Sequence, residues 1–171
     1  MNAYMDTTDS PAGRVTFAVN EVGALIAVKF VEGEDGQSLG DELARAGFDV
    51  LEDRDRTDPV RRQLGEYYAG TRRTFDIPVA LDGSPWQLKV WKALMEIPFG
   101  ETRSYGEVAA MVGSPHAARA VGRANATNRI PLVVPCHRVI GADGRLTGFA
   151  GGVHLKDRLL AHELGVLSGA R

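Results

Sequence analysis

The chain has 171 residues, of which 44% are hydrophobic and 25% charged, with a net charge of −2 and a single cysteine. This balance supports one domain or two small ones with a real core, and excludes a disordered tail or a fibrous repeat. No run approaches the roughly 18 apolar residues of a membrane helix, residues 1–14 lack the apolar stretch of a signal peptide, and one cysteine builds neither an internal disulfide nor a multi-cysteine zinc site.

The first half reads as a small α+β unit. Residues 15–19 and 24–30 are β-rich runs joined by the turn Asn20-Glu21-Val22-Gly23. Residues 32–36 form a polar loop, 39–46 a short helix, and 52–58 an exposed charged stretch. Asp58-Pro59 predicts the start of a helix through Val60, Leu64, Tyr67 and Tyr68 that stops at Gly70. Phe75, Ile77, Val79 and Leu81 then alternate as a half-buried strand, with Pro78 marking an edge. The turn formers Asp82-Gly83-Ser84-Pro85 set the expected domains at 1–83 and 84–171.

Beyond that boundary the pattern turns helical. Ser84-Pro85-Trp86-Gln87 has the form of a capping box with proline at the first helical position, and Leu88, Trp91 and Met95 then share a face. Ser104-Tyr105-Gly106-Glu107 is a second capping box, opening a short helix through Val108, Ala109 and Val112 that ends at Gly113. Ser114-Pro115 predicts an immediate third start, through Ala117, Ala118, Val121 and Ala124. Two short helices across a glycine turn make a helix-turn-helix candidate. His116, Arg119 and Arg123 would share one face of its second helix, opposite Val121. Ala117, Ala118, Ala120 and Gly122 keep that helix slim, which suits either close approach to a nucleic-acid groove or tight core packing.

Charge divides along the same boundary. Residues 1–84 hold 9 Lys/Arg against 16 Asp/Glu, and residues 85–171 hold 11 against 6. Between Thr102 and Arg138 there are five arginines and one carboxylate, Glu107. Local phosphate contact needs such a cluster, although a solvated basic face has the same composition.

The lone thiol lies in Leu132-Val133-Val134-Pro135-Cys136-His137-Arg138-Val139-Ile140, read as an apolar strand entering Pro-Cys-His-Arg and leaving toward the turn Asp143-Gly144. A cysteine in apolar surroundings is either a buried, inert thiol or a nucleophile. The adjacent imidazole and guanidinium favour a thiolate if they lie near the sulfur.

Pro135-Cys136-His137-Arg138-Val139 resembles the active-site motif of the O6-alkylguanine-DNA alkyltransferases, the methylated-DNA–protein-cysteine methyltransferases. Ser104-Tyr105 with the paired helices, Ala118-Arg119-Ala120-Val121-Gly122, and Asn128 ahead of the cysteine are similar to that family in order and spacing. Gly148-Phe149-Ala150-Gly151-Gly152 and Leu159-Leu160-Ala161-His162-Glu163 resemble its pocket loop and final helix. The resemblance spans roughly residues 84–164, whereas the N-terminal half matches only in length and general pattern.

It implies an α+β chain: a small N-terminal α/β, ribonuclease-H-like unit, then a mainly helical C-terminal domain with a helix-turn-helix, winged-helix-like DNA-binding motif. The implied activity is irreversible, single-turnover transfer of the alkyl group from O6-alkylguanine, and from O4-alkylthymine, onto Cys136 after base flipping. His137 would act through a water as base, Glu163 would orient His137, Asn128 would brace the recognition helix, and Tyr105 would donate to the departing guanine. Arg119 would fill the gap left by the flipped base. Ala117, Ala118, Gly122 and Arg123, with Tyr105, would complete the surface toward double-stranded DNA in the minor groove. Val139, Phe149, Ala150 and Gly151 would line an apolar pocket, Phe149 standing where the family often has tyrosine and Ala150 where some members carry serine. No cofactor, metal or membrane is implied, and His154 and His162 read as surface or packing residues. The expected protein is a cytoplasmic monomer, with cooperative binding along DNA left open. Two other readings are a non-catalytic binder of alkylated DNA, whose known examples lack the acceptor cysteine, and a Cys-His-Glu thiol hydrolase, which would leave the arginine helix idle.

Overall fold

In the computed structural model, the structure describes residues 1–11, 13–31, 38–146 and 152–169. The chain divides into two compact units, Met1–Ala80 and Leu81–Arg171.

The first unit is built on a four-stranded sheet of order β3-β2-β1-β4. β2 (Gly13–Val19) and β3 (Leu25–Val31) form the expected antiparallel hairpin, Phe17 opposite Val28 and Ala18 opposite Ala27. Its turn is held by Asn20, whose side-chain oxygen accepts the N–H groups of Val22 and Ala24 at 3.1 and 2.9 Å. The polar N-terminal segment is itself a strand, β1 (Asn2–Ser10), between β2 and the short parallel β4 (Asp49–Leu51). Asp6 and Asp9 hide this strand in the sequence, because Asp is depleted in strands. Asp6 is accommodated by partners on the neighbouring helix: it accepts the Thr57 hydroxyl at 2.8 Å and pairs with Arg61.

Both faces of the sheet are covered. α1 (Leu39–Arg45) buries Leu39 and Leu43 against Ala3, Ala18 and Ala27. α2 (Arg54–Tyr68) packs on the Tyr4–Asp6 face, where Arg56 lies 4.5 Å over the Tyr4 ring. α2 starts five residues before Asp58-Pro59 predicts, because Asp53 accepts the N–H groups of Asp55 and Arg56 and caps the helix there. Residues 54–58 are therefore helix, and Pro59 sits inside it. The expected strand through Phe75 and Leu81 is reduced to one parallel bridge, Leu25 with Val79. The Pro78 carbonyl accepts from Leu25 at 2.8 Å, but proline has no N–H to extend the ladder.

The second unit opens with α3 (Pro85–Leu94), whose capping box is complete: Gln87 N–H donates to Ser84 Oγ and Ser84 N–H to Gln87 Oε1. Its buried face is Val90, Trp91 and Leu94; Leu88 is half-buried and Met95 exposed, so the predicted stripe is rotated. β5 (Arg103–Ser104) leads into α4 (Tyr105–Met111), capped by Ser104 and Glu107. α4 ends at Gly113, φ 79°, where Gly113 N–H returns to the Ala110 carbonyl and Ser114 N–H to that of Ala109. α5 (Ala118–Ala126) begins three residues later than Ser114-Pro115 predicts, because residues 114–117 form a turn closed by Ala117 N–H on the Ser114 carbonyl. His116 lies in that turn, off the helix, and only Arg119 and Arg123 share its exposed face.

Residues 132–134 are not the expected strand. Val134 N–H bonds the Ile130 carbonyl, and Leu132 takes φ 77°, a left-handed conformation that costs a leucine about 1–3 kcal/mol. A tight turn, Cys136–Arg138, follows, then β6 (Val139–Ile140), which pairs in parallel with β5. The last element is α6 (Val153–Leu167), which buries Leu155, Lys156, Leu159, His162 and Glu163. Among the described residues, no helix is long and apolar enough to cross a membrane. Ser84→Ala should lower stability by about 1 kcal/mol, read as a lower urea midpoint at unchanged slope; an unchanged midpoint would contradict the cap's role.

Candidate active site

The site is organised by α6, which places Lys156 and Glu163, two turns apart, on its buried face. Both side chains are fully buried. Glu163 receives four hydrogen bonds: from Gly100 N–H at 2.9 Å and Arg138 Nε at 2.9 Å on Oε1, and from His137 Nε2 at 2.7 Å and Arg138 Nη2 at 3.0 Å on Oε2. The remaining Arg138 Nη1 donates to the Ile97 carbonyl at 2.8 Å, and the guanidinium lies 5.7 Å from the Phe99 ring centroid. Burial alone would push the Glu163 carboxyl up, but hydrogen bonds and charge from His137 and Arg138 hold it well below the usual carboxylate range.

An ionised carboxylate on Oε2 requires His137 to present Nε2–H, which leaves Nδ1 as an unprotonated acceptor. That Nδ1 is buried and has no hydrogen-bond partner among the described residues. Burial lowers the pKa of His137, only partly offset by Glu163, so the ring is neutral near pH 7.

Cys136 is 4% exposed, and burial pushes its thiol up to about 11. Opposing that burial are a hydrogen bond with the Asn128 side chain, the positive charge of Lys156, and backbone N–H groups of residues 136 and 137. The condition under which His137 and Arg138 would favour a thiolate is not met: both side chains are engaged by Glu163, and desolvation prevails at the sulfur. The nearby cation is Lys156, whose Nζ donates to the Val139 carbonyl. Its own pKa is lowered by burial and raised in part by Cys136.

Asn128 is buried and bridges two segments: its amide donates to the Val134 carbonyl at 2.9 Å and its oxygen accepts Ile130 N–H at 3.0 Å. From α5, Asn125 reaches the Cys136 carbonyl at 3.4 Å. Tyr105 is half-buried at the start of α4, one residue past the Ser104–Ile140 pairing that ties α4 to the cysteine segment. A Cβ added to Gly122 would lie 3.8 Å from the Tyr105 ring, so part of that helix's slimness serves packing. Arg119 and Arg123 are exposed, Ala117 and Ala118 half-buried. Val139 is fully buried, while Phe149, Ala150 and Gly151 lie outside the described residues. His154 is exposed and His162 buried.

The structure thus brings Cys136, His137, Glu163 and Asn128 together and adds Lys156, Arg138, Gly100 and Asn125. Lys156 could have been found from the sequence, since it precedes Glu163 by seven residues and so shares its helix face. The Gly100 contact spans 63 residues and leaves no local sequence signal.

Comparison with known proteins agrees with this arrangement. Residues 3–81 match the family model for the ribonuclease-like domain of 6-O-methylguanine DNA methyltransferase, and residues 85–165 match that for its DNA-binding domain. A methylated-DNA–protein-cysteine methyltransferase of Methanosarcina barkeri is 42% identical over 160 residues, covering 94% of this chain and 96% of its own. One from Mycolicibacterium paratuberculosis is 47% identical, covering 92% and 90%. Among solved structures, Mycobacterium tuberculosis OGT in complex with DNA superposes with a TM-score of 0.82 at 40% identity, covering 95% of this chain and 94% of that one. The chain belongs to the 6-O-methylguanine DNA methyltransferase family.

The two buried groups give stability one sign of pH dependence. His137 has a depressed pKa in the fold, so below about 6.5 the unfolded chain takes a proton that the native state refuses. Glu163, also depressed, adds stability above the ordinary carboxylate range that is lost on further acidification. Thermal unfolding should therefore move to lower temperature as pH falls from about 7 to 5, and a flat profile would contradict a neutral, buried His137.

Proposed function

We infer that the protein repairs alkylated DNA by moving the alkyl group of O6-alkylguanine, and of O4-alkylthymine, onto its own Cys136. The observation that carries this reading is the buried histidine next to the chain's one cysteine, its Nε2–H committed to Glu163 and its Nδ1 left as a base. The family match over both units supplies the substrate class.

The chemistry follows from the resting states. A thiol held up near 11 is neutral at pH 7 and must lose its proton as it attacks. In the proposed step one water relays that proton to His137 Nδ1, and Glu163, already ionised, stabilises the imidazolium that forms. The sulfur attacks the alkyl carbon, the S–C bond forms, the C–O6 bond breaks, and the electron pair leaves on guanine. Tyr105 at the head of α4 donates a proton to the departing ring. Lys156 steadies the developing thiolate, and Arg138 acts on His137 only through Glu163. The product thioether has no acidic proton and no good leaving group, so each molecule acts once.

A thiolate cannot reach O6 inside a stacked duplex, so the base must be extruded at a cost of a few kcal/mol. Arg119, exposed on α5, takes the vacated place in the stack, and Arg123 with the small residues Ala117, Ala118 and Gly122 lets α5 lie in the minor groove. Buried Val139, next but two to Cys136, lines the alkyl pocket. The protein acts as a cytoplasmic monomer on double-stranded DNA, without a cofactor.

Intact-protein mass after exposure to a duplex carrying one O6-methylguanine should rise by one methyl group, saturating at one per molecule, and should not rise in Cys136→Ala, which still binds DNA. Loss of binding along with transfer in that variant would make the cysteine structural. Arg119→Ala should slow duplex repair far more than reaction with free O6-benzylguanine; equal losses would refute the finger role. DNA affinity should fall steeply with salt, and a flat response would argue against phosphate contacts by the arginines.

A further inference from the structure

α5 carries the exposed arginines, yet little in its own sequence holds it in register. It has no side-chain N-cap, and alanine, glycine and asparagine leave Val121 as its one bulky apolar anchor. Such a helix can slide or rotate on a neighbour at small packing cost, because few knobs interlock with grooves.

It packs on both α4 and α3, and α3 supplies side-chain donors to its backbone and C-terminal end. Trp86 Nε1 donates to the Ala120 carbonyl at 3.1 Å, and Trp91 Nε1 donates to the Ala124 carbonyl at 2.8 Å. These carbonyls are one turn apart, and each belongs to the residue directly after an exposed arginine, Arg119 or Arg123. Gln87 adds a third point. Its oxygen completes the α3 capping box, and its nitrogen donates to Thr127 Oγ1 at the C-terminal end of α5, at 3.0 Å. The clamp is tightly built: a Cβ on Gly83 would fall 2.6 Å from the Trp91 ring and 2.8 Å from Gln87 Oε1. Beyond the clamp, Asn125 joins α5 to the Cys136 carbonyl.

We propose that Trp86, Trp91 and Gln87 are positioning residues for alkyl transfer, their N–H groups fixing α5 so that Arg119 stands at a set distance from Cys136. The indole is required as a directional donor, and its apolar bulk alone does not suffice. A hydrogen bond constrains both position along the helix and rotation about it, whereas ring packing against alanine constrains neither well. The proposal rests on the reading that Arg119 enters the base stack. Its effect is therefore confined to substrates whose base must be extruded from a pair.

Trp86→Phe keeps the ring and removes the donor; Thr127→Val independently removes the acceptor for Gln87. Single-turnover methylation is followed by mass on a duplex and on a short single strand, each carrying one O6-methylguanine. In each variant the ratio of duplex to single-strand rate should drop about fivefold, the size expected for losing one net hydrogen bond. A purely structural role would lower both rates together through loss of folded protein, so a ratio unchanged from wild type, or raised, overturns the proposal. Wild type unreactive on both substrates would instead refute alkyl transfer itself.

Discussion

The C-terminal unit is organised around one buried carboxylate. Glu163 has no exposure to water, and an isolated charge there would cost several kcal/mol or more. The cost is offset because Glu163, carried by α6, accepts from two other stretches of chain: the loop after α3 and the turn that carries the cysteine. No one of these segments can shift without stranding a charge. Rigidity of the cysteine turn is thus a consequence of electrostatics, since the turn has only three residues and no side-chain cap of its own. The same carboxylate fixes the tautomer of His137, so structural locking and an unprotonated Nδ1 are one interaction seen from two sides.

A second tension sits one residue earlier. Burial that makes the site dry also makes the Cys136 thiol a poor acid, and the groups opposing burial leave it protonated at rest. A protein that reacts once has reason to keep its nucleophile quiet, because any stray electrophile would consume it. Neutral thiol, neutral imidazole and a fully bonded carboxylate form a resting state with little driving force toward ionisation. Lys156 lies at the other end of the same helix face and supplies positive charge where negative charge would develop. The electrostatics are arranged for a charge that appears only when an alkyl carbon is presented.

How much of this is legible before folding depends on the range of each interaction. The capping boxes at Ser84 and Ser104, the Asn20 turn and the Gly113 stop are local chemistry, and the structure has them where the residues predict. Errors fell where a local rule met a stronger partner. Proline at 59 reads as a helix start, but Asp53 caps better and draws the start back to Arg54. Asp6 reads as non-strand until Thr57 and Arg61 of α2 satisfy it. Leu132-Val133-Val134 reads as a strand, yet Asn128 bonds both ends of the following turn and bends it into a coil. The motif identifies Cys136, His137 and Glu163 because order and spacing are preserved in sequence. The Arg138 clasp, the Gly100 N–H and the Trp–carbonyl bonds span 25 to 63 residues and leave no pattern at short range.

These long bonds give the unit a direction. α3 holds α5 at two carbonyls, α5 holds the cysteine segment through Asn125 and the nearby Asn128, and the cysteine segment is held by α6 through Arg138 and Lys156. Each link is a directional hydrogen bond where apolar packing alone would tolerate sliding. A surface that must find a damaged base and a sulfur that must meet its alkyl carbon in line both need placement to within a fraction of an ångström. Alanine-rich α5 gives up side-chain bulk, and with it the packing that would fix its position. The donors on α3 restore that position at the Ala120 and Ala124 carbonyls, so that slimness and precision are supplied by different helices.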